Sequence, residues 1–329
     1  MGRQRVEYID LAKGFCIALV VLFHAKGIFG YNSAIDPFLS SFRLPLYFFL
    51  SGLFFKDYGS LLTFLVKKVN RLLIPFSAFY MCFSVAVPNL LYTVFGVSFE
   101  TVVGWPSLWA FVWPGEYPNI PIWFLWCLFL MNMLFYLLHS SVGGKEVLLG
   151  VVSLAAGIAG EALFQVFPHD LGNVCKALQS MPFFYSGFLS SRHRGLLILD
   201  SLSRSVKLGL AAVLSLLTFV LSVLLPENLL LYYVAGLCGT LFVILLAAAF
   251  GYLPLFSYIG RYSIILLLTH GLLIRCLTPL RPILLSATNV QISIFVVTAI
   301  ILLSYYLIIP LMRRYLPYVT AQKPLLRES

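Results

Sequence analysis

Charge is scarce in this sequence. Lys, Arg, Asp and Glu together make up 10% of the 329 residues, while 61% are hydrophobic; an ordinary soluble domain carries about 25% charged residues. Too few polar side chains are available to coat a water-soluble surface. Cysteine is present but unpaired in pattern: Cys16, Cys82, Cys127, Cys175, Cys238 and Cys276 stand singly in or beside apolar runs, with no CxxC spacing. That argues against a disulfide framework and against a metal site, and leaves packing as their role. Acids inside apolar runs are nearly absent, Glu161 being almost alone, and no internal repeat is visible.

What is present is a succession of apolar runs, each long enough to cross about 30 Å of hydrocarbon. They predict an all-α, polytopic membrane protein of about ten transmembrane helices, over 11–30, 40–56, 72–95, 121–139, 147–164, 174–190, 207–225, 229–250, 262–280 and 290–311. The sixth is short and holds Pro182 and Gly187. No stretch is left over for a separate soluble domain, so residues 1–329 read as one integral membrane domain with a tail from about 313 to 329. Alternate connections differ in basic residues, seventeen on one side of the predicted membrane against five on the other. The positive-inside bias then puts both termini in the cytoplasm. Arg3 and Arg5 precede an apolar core as in a signal peptide, but no small-x-small cleavage site follows, and the first span is expected to be retained. The cations behind the net charge of +10 are spread over six cytoplasmic segments, the two termini included, which topology explains without nucleic acid.

Ionisable side chains within such spans are costly unless paired or wet, and are functional candidates for that reason. Lys13 and His24 are eleven residues apart, three helical turns plus about 20°, so they share a face with a rise of about 16 Å between them. Asp10, one turn before Lys13, can pair with it and with the positive end of the helix dipole. Arg43 enters the second span two residues before Pro45, which either begins the regular helix or breaks it locally. The short connection between the first two spans puts Arg43 at the depth of His24, where the two could share a cavity. Lys68 and Arg71 stand three apart at the entry to the third span, suiting a polyanion from the cytosol or serving as positive-inside anchors. Trp105, Trp109 and Trp113 recur at helical spacing in the loop 96–121, as an interfacial belt or as a lid receiving a sugar ring. His270 is a second imidazole in a late span, where a hydrogen bond between helices is the simpler role; His169 and Asp170 fall in a loop.

These residues occur in a recognisable order. Asp10, Lys13, Gly14 and His24 form an Asp-x-x-basic-Gly followed by a basic-x10-His motif. Arg43, Pro45, Phe48, Phe49, Ser51 and Gly52 follow, then Lys68 with Arg71, Trp123-Phe124-Leu125, Pro182-Phe183-Phe184 with Gly187, and Ile259, Gly260, Ser263 and His270. In this the chain resembles, over nearly its whole length, the acyltransferase-3 family of integral membrane O-acyltransferases. Lysine stands at 13 and 68 where many relatives have arginine; it is a point charge without the planar fork that binds phosphate bidentately. The first of these substitutions resembles a branch with fucose-type O-acetyltransferases.

The resemblance implies transfer of an acetyl or similar short acyl group from acyl-CoA to a hydroxyl of a carbohydrate or glycolipid at the cell envelope. It implies a multi-pass protein of the cytoplasmic membrane, with membrane lipid, acyl-CoA and the acceptor as partners, acetyl-CoA as a cosubstrate and no permanently bound cofactor or metal. With no hydrolase-like domain after the spans, the membrane core is expected to carry the reaction. His24 and Arg43 are the expected catalytic residues, His24 as general base or as the site of a transient acyl-histidine. Lys13, Lys68 and Arg71 are expected to meet the donor's phosphates, and Asp10, Ser51, Trp123 and His270 to contact substrate. The competing class is a carrier or flippase for a lipid-linked sugar, which the scarcity of intramembrane acids and the lack of a repeat disfavour.

Overall fold

The computed structural model describes residues 7–86, 90, 93–94, 120–143, 145–167, 173–225 and 228–327. The loop tryptophans Trp105, Trp109 and Trp113, with Arg3, Arg5, His169 and Asp170, lie outside the described residues. The helices, in chain order, are α1 Glu7–Phe29, α2 Asp36–Leu53, α3 Leu61–Lys68, α4 Ile74–Phe79, α5 Trp123–Val142, α6 Glu146–Val166, α7 Val174–Gln179, α8 Met181–Arg192, α9 Ile198–Ser201, α10 Arg204–Phe219, α11 Leu229–Phe250, α12 Pro254–Arg261, α13 Ser263–Leu277, α14 Arg281–Ala287 and α15 Val290–Tyr315. No strand occurs among the described residues.

Seven of the described helical stretches are long and apolar enough to cross a membrane: α1, α5, α6, Arg204–Leu224, α11, Ser263–Ala287 and α15. Their outward faces are greasy. On α10, Leu210, Val213, Leu216 and Leu217 are exposed, a surface suited to hydrocarbon and not to water. The chain is a multi-pass membrane protein.

The other three predicted spans are helical in different ways. The second begins at Asp36 and holds Arg43, which lowers its apolarity, and its helix runs straight through Pro45. Pro45 thus neither starts the helix nor ends it. The third continues from α3 through wide, π-type turns at Val69–Leu73 and Tyr80–Ala86, with α4 between them. The predicted sixth span is two helices meeting at Ser180, whose hydroxyl donates to the Lys176 carbonyl at 2.8 Å. Pro182, just inside α8, has no N–H to continue the earlier ladder.

The chain divides into two compact units. In the first, Met1–Phe55 with Phe183–Ile309, α1 packs against α2, α11, α12 and α13. Two crossings bring backbones into contact. A Cβ on Gly14 would stand 1.9 Å from the Phe256 carbonyl oxygen, and one on Gly260 would stand 1.8 Å from that of Asp10, so α1 and α12 touch through facing glycines. A Cβ on Gly52 would meet the Phe184 carbonyl oxygen at 1.8 Å, and one on Gly187 that of Phe49 at the same distance. This joins α2 to α8. Small residues permit such approach between apolar helices, where no hydrophobic force drives them together. The α1–α2 connection is held by an ion pair between Lys26 and Asp36, and the Ser33 N–H donates to the same carboxylate at 2.8 Å.

In the second unit, Lys56–Pro182 with Pro310–Ser329, α5 packs on α6, α7 and the wide turn at Val69–Leu73. Ser60 caps α3 by accepting the Thr63 N–H at 3.1 Å. Asn70, buried inside the wide turn, accepts the N–H groups of Leu325 and Leu326 at 3.0 and 2.7 Å and donates to the Leu326 carbonyl at 2.9 Å.

Candidate active site

In the first unit a small polar group collects around His24, which lies near the C-terminal end of α1 and remains partly exposed. The Arg43 guanidinium from α2 sits over the Phe23 ring, 4.3 Å from its centre, and Phe23 meets His24 edge-on at 5.3 Å between ring centres. Arg43 Nη1 donates to the Leu19 carbonyl at 3.4 Å. An arginine stacked on a ring keeps its charge in a fixed plane. His270, fully buried on α13, brings its ring to 5.2 Å from that of His24, tilted by 49°. His24, Arg43 and His270 are therefore brought together from three helices. The rings of Phe23 and His270 both neighbour that of His24.

The expected donor-binding cations fall in both units, Lys13 in the first and Lys68 and Arg71 in the second. Lys13 lies on the His24 face of α1, its ammonium 5.4 Å from the Phe54 ring centre and its carbonyl accepting the Tyr47 hydroxyl at 3.0 Å. In the second unit Lys68 stands 5.1 Å from the centre of Phe64, which is itself stacked on Tyr136 at 4.5 Å. Arg71 is exposed. Of the expected substrate contacts, Ser51 is half-buried on α2 beside the Gly52 contact. Trp123 opens α5 with the Lys176 ammonium 4.6 Å from its ring centre. Asp10 lines a small cleft of about 90 Å³ with Glu7, Ser257, Tyr258 and Arg261. Among the described residues no three His, Cys, Asp or Glu side chains stand close enough to share a metal ion.

An apolar cavity lies elsewhere in the first unit. It measures about 490 Å³ and is lined by Phe15, Leu19 and Leu22 of α1 with Phe42, Phe242 and Phe295 among others. Those α1 positions are turned well away from Lys13 and His24, by roughly 120–180° on a helical wheel. The one polar side chain there, Thr298, has its hydroxyl committed to the Ile294 carbonyl at 2.8 Å. Reactive chemistry has no foothold in that cavity.

A family model described as an acyltransferase domain, acyltransferase-3, matches residues 6–313. The chain belongs to the acyltransferase-3 family. No curated protein and no solved structure matches it. The matched span of this acyltransferase-3 chain takes in the basic-x10-His run on α1 and the glycine that opens it, so membership and geometry meet on the same helix. It is an acyltransferase by family.

Sequence reasoning missed two features of this acyltransferase. The motif glycines Gly14, Gly52, Gly187 and Gly260 are backbone contacts in pairs, and single-sequence motifs carry no sign of which glycine meets which. Asn70 holds the tail beside the Lys68 and Arg71 element; the only signal was an amide within 67-KKVNRLLIP-75.

Proposed function

We propose that this protein is an O-acyltransferase that moves a short acyl group, acetyl or succinyl, from acyl-CoA to a hydroxyl of a carbohydrate or glycolipid at the cell envelope. The observation that supports it best is the cluster of His24, Phe23 and Arg43, an imidazole and a guanidinium held on a common ring. Acyl transfer from a thioester needs a base for the hydroxyl proton and a cation for the oxyanion. In the proposed reaction one ring nitrogen of His24 takes the acceptor hydroxyl's proton as its oxygen bonds to the thioester carbonyl carbon. Negative charge passes to the carbonyl oxygen and is offset by Arg43. The carbon–sulfur bond then breaks, and the departing thiolate receives the proton from His24. In the variant, His24 itself carries the acyl group between donor and acceptor.

Lys13, Lys68 and Arg71 are assigned to the phosphates of the donor, with acetyl-CoA as cosubstrate and nothing permanently bound. With both termini in the cytoplasm, the α1 face from Lys13 to His24, about 16 Å, gives the reach from an inner-leaflet phosphate station to a hydroxyl arriving from outside. Asp10, Ser51 and Trp123 are assigned to substrate contacts. The test is mass spectrometry of surface glycans from cells with and without the protein, together with thiol release from acetyl-CoA by the purified protein in lipid. Acyl-bearing glycans and acceptor-dependent thiol release that vanish without the protein are expected. Movement of a lipid-linked sugar with no change in acylation would overturn the reading in favour of a carrier.

A further inference from the structure

Only half of the hydrogen-bonding capacity of His270 is used. Its Nδ1 lies 2.7 Å from the Leu266 carbonyl oxygen. A carbonyl can only accept, so Nδ1 carries the proton and Nε2 presents a lone pair. The same carbonyl is approached by the Tyr305 hydroxyl at 3.5 Å, and that hydroxyl pairs with Thr269 Oγ1 at 2.9 Å. Thr269 in turn donates to the Ile265 carbonyl at 2.7 Å. His270 is thereby fixed in orientation and tautomer. Its Nε2 is enclosed and has no hydrogen-bond partner, a state that native proteins rarely leave without a use.

The ring facing it is His24, 5.2 Å away between centres. Two imidazoles joined by an N–H···N bond of about 2.9 Å stand roughly 5 Å apart centre to centre. The two rings thus already stand at the separation of a hydrogen-bonded pair, and the bond requires the His24 ring to turn an N–H toward Nε2.

We propose that His270 is a positioning residue for acyl transfer: its Nε2 accepts the N–H of His24 and so turns the other nitrogen of His24, with its lone pair, toward the acceptor hydroxyl. The proposal rests on the reading of His24 as the base. A neutral imidazole exists as two tautomers, and only one faces the hydroxyl with a lone pair. An acceptor behind the ring selects that one. Once His24 has taken the hydroxyl proton, both of its nitrogens are donors, and the one behind keeps its bond to His270 while the other delivers the proton to the thiolate. In this role His270 neither gains nor loses a proton, and it acts through His24 in place of the substrate contact that the resemblance implies for it.

Two conservative variants separate this role from a structural one. His270→Asn puts an amide N–H where Nδ1 stands, keeping the bond to Leu266, but leaves nothing at Nε2. His270→Gln can set an amide oxygen near Nε2 while giving up the Leu266 bond. With purified protein in lipid, His270→Asn is expected to lose about thirtyfold or more in kcat with KM for acetyl-CoA nearly unchanged, and His270→Gln to keep clearly more activity. The reverse order, with Asn near wild type and Gln impaired, overturns the proposal. If His24→Ala itself retains full transfer, the reading of His24 as base is what has failed. Nitrogen NMR of histidine-labelled wild-type protein reads the same point without a variant: one tautomer at His24 supports the proposal, and exchange between two contradicts it.

Discussion

Replacing Gly14 or Gly260 by alanine drives a methyl group into the backbone of a facing helix. A methyl on Gly14 would stand 1.9 Å from the Phe256 carbonyl oxygen and 2.6 Å from its carbon; one on Gly260 would stand 1.8 Å from the Asp10 oxygen and 2.5 Å from the Gly14 nitrogen. Ordinary carbon contacts begin near 3.5 Å, so α1 and α12 must part by roughly 1.5 Å. The obstructing atoms are backbone and cannot swing aside. Overpacking of a core costs typically about 1–3 kcal/mol, and a clash of this depth belongs at or above the top of that range. Gly209 supplies the opposite case: it is exposed within α10 and has nothing within 4 Å of its would-be Cβ. There alanine should stabilise by up to about 1 kcal/mol through helix propensity alone. The assay is the temperature at which purified protein in detergent loses its monodisperse elution peak. Gly14→Ala and Gly260→Ala should each fall by several degrees, while Gly209→Ala should hold or rise. The double Gly14→Ala, Gly260→Ala variant should cost less than the two single losses summed, because helices already parted leave room for the second methyl. If Gly14→Ala and Gly260→Ala melt with Gly209→Ala, the close crossing is not there and the reasoning fails.

Arg43→Lys keeps the charge but gives up the planar face stacked on Phe23; transfer should drop by about a hundredfold in kcat, with KM for acetyl-CoA little changed, as steady-state thiol release will show. Asp36 tests the α1–α2 connection. Partial burial on its own raises the pKa of this carboxyl, but the Lys26 and Ser33 hydrogen bonds, with the charges of Lys26 and Arg43, leave it below the ordinary carboxylate value. A depressed folded value means that the contribution to stability, on the order of 1 kcal/mol for this part-buried pair, is complete above about pH 4 and is lost as pH falls through the folded value. Melting at neutral and acid pH should therefore separate wild type from Asp36→Asn at neutrality and bring them together in acid.

The helices were largely legible because hydrocarbon demands long apolar runs, and those runs show in one dimension. α1, α5, α6, α11 and α15 lie close to where the sequence put them. The departures are at positions where backbone geometry decides the outcome. Ser180 and Pro182 divide one predicted span into α7 and α8, whereas Pro45 leaves α2 intact. His24, Arg43 and His270 were legible one at a time, since each is an ionisable group in an apolar run. The meeting of His24 with His270 was not legible, because they come from opposite ends of the sequence and no pattern along the chain encodes their approach. The glycine crossings and the grip of Asn70 on the tail were hidden for a related reason: they involve backbone carbonyls and N–H groups, which every residue has.

The most direct measurement is acyl transfer from labelled acetyl-CoA by purified His24→Gln and His24→Ala proteins in lipid, each shown by monodispersity to be folded. Both variants should form no acylated acceptor above background while the wild type does. Transfer at close to the wild-type rate in both would remove His24 from the reaction, and with it the mechanism built around this cluster.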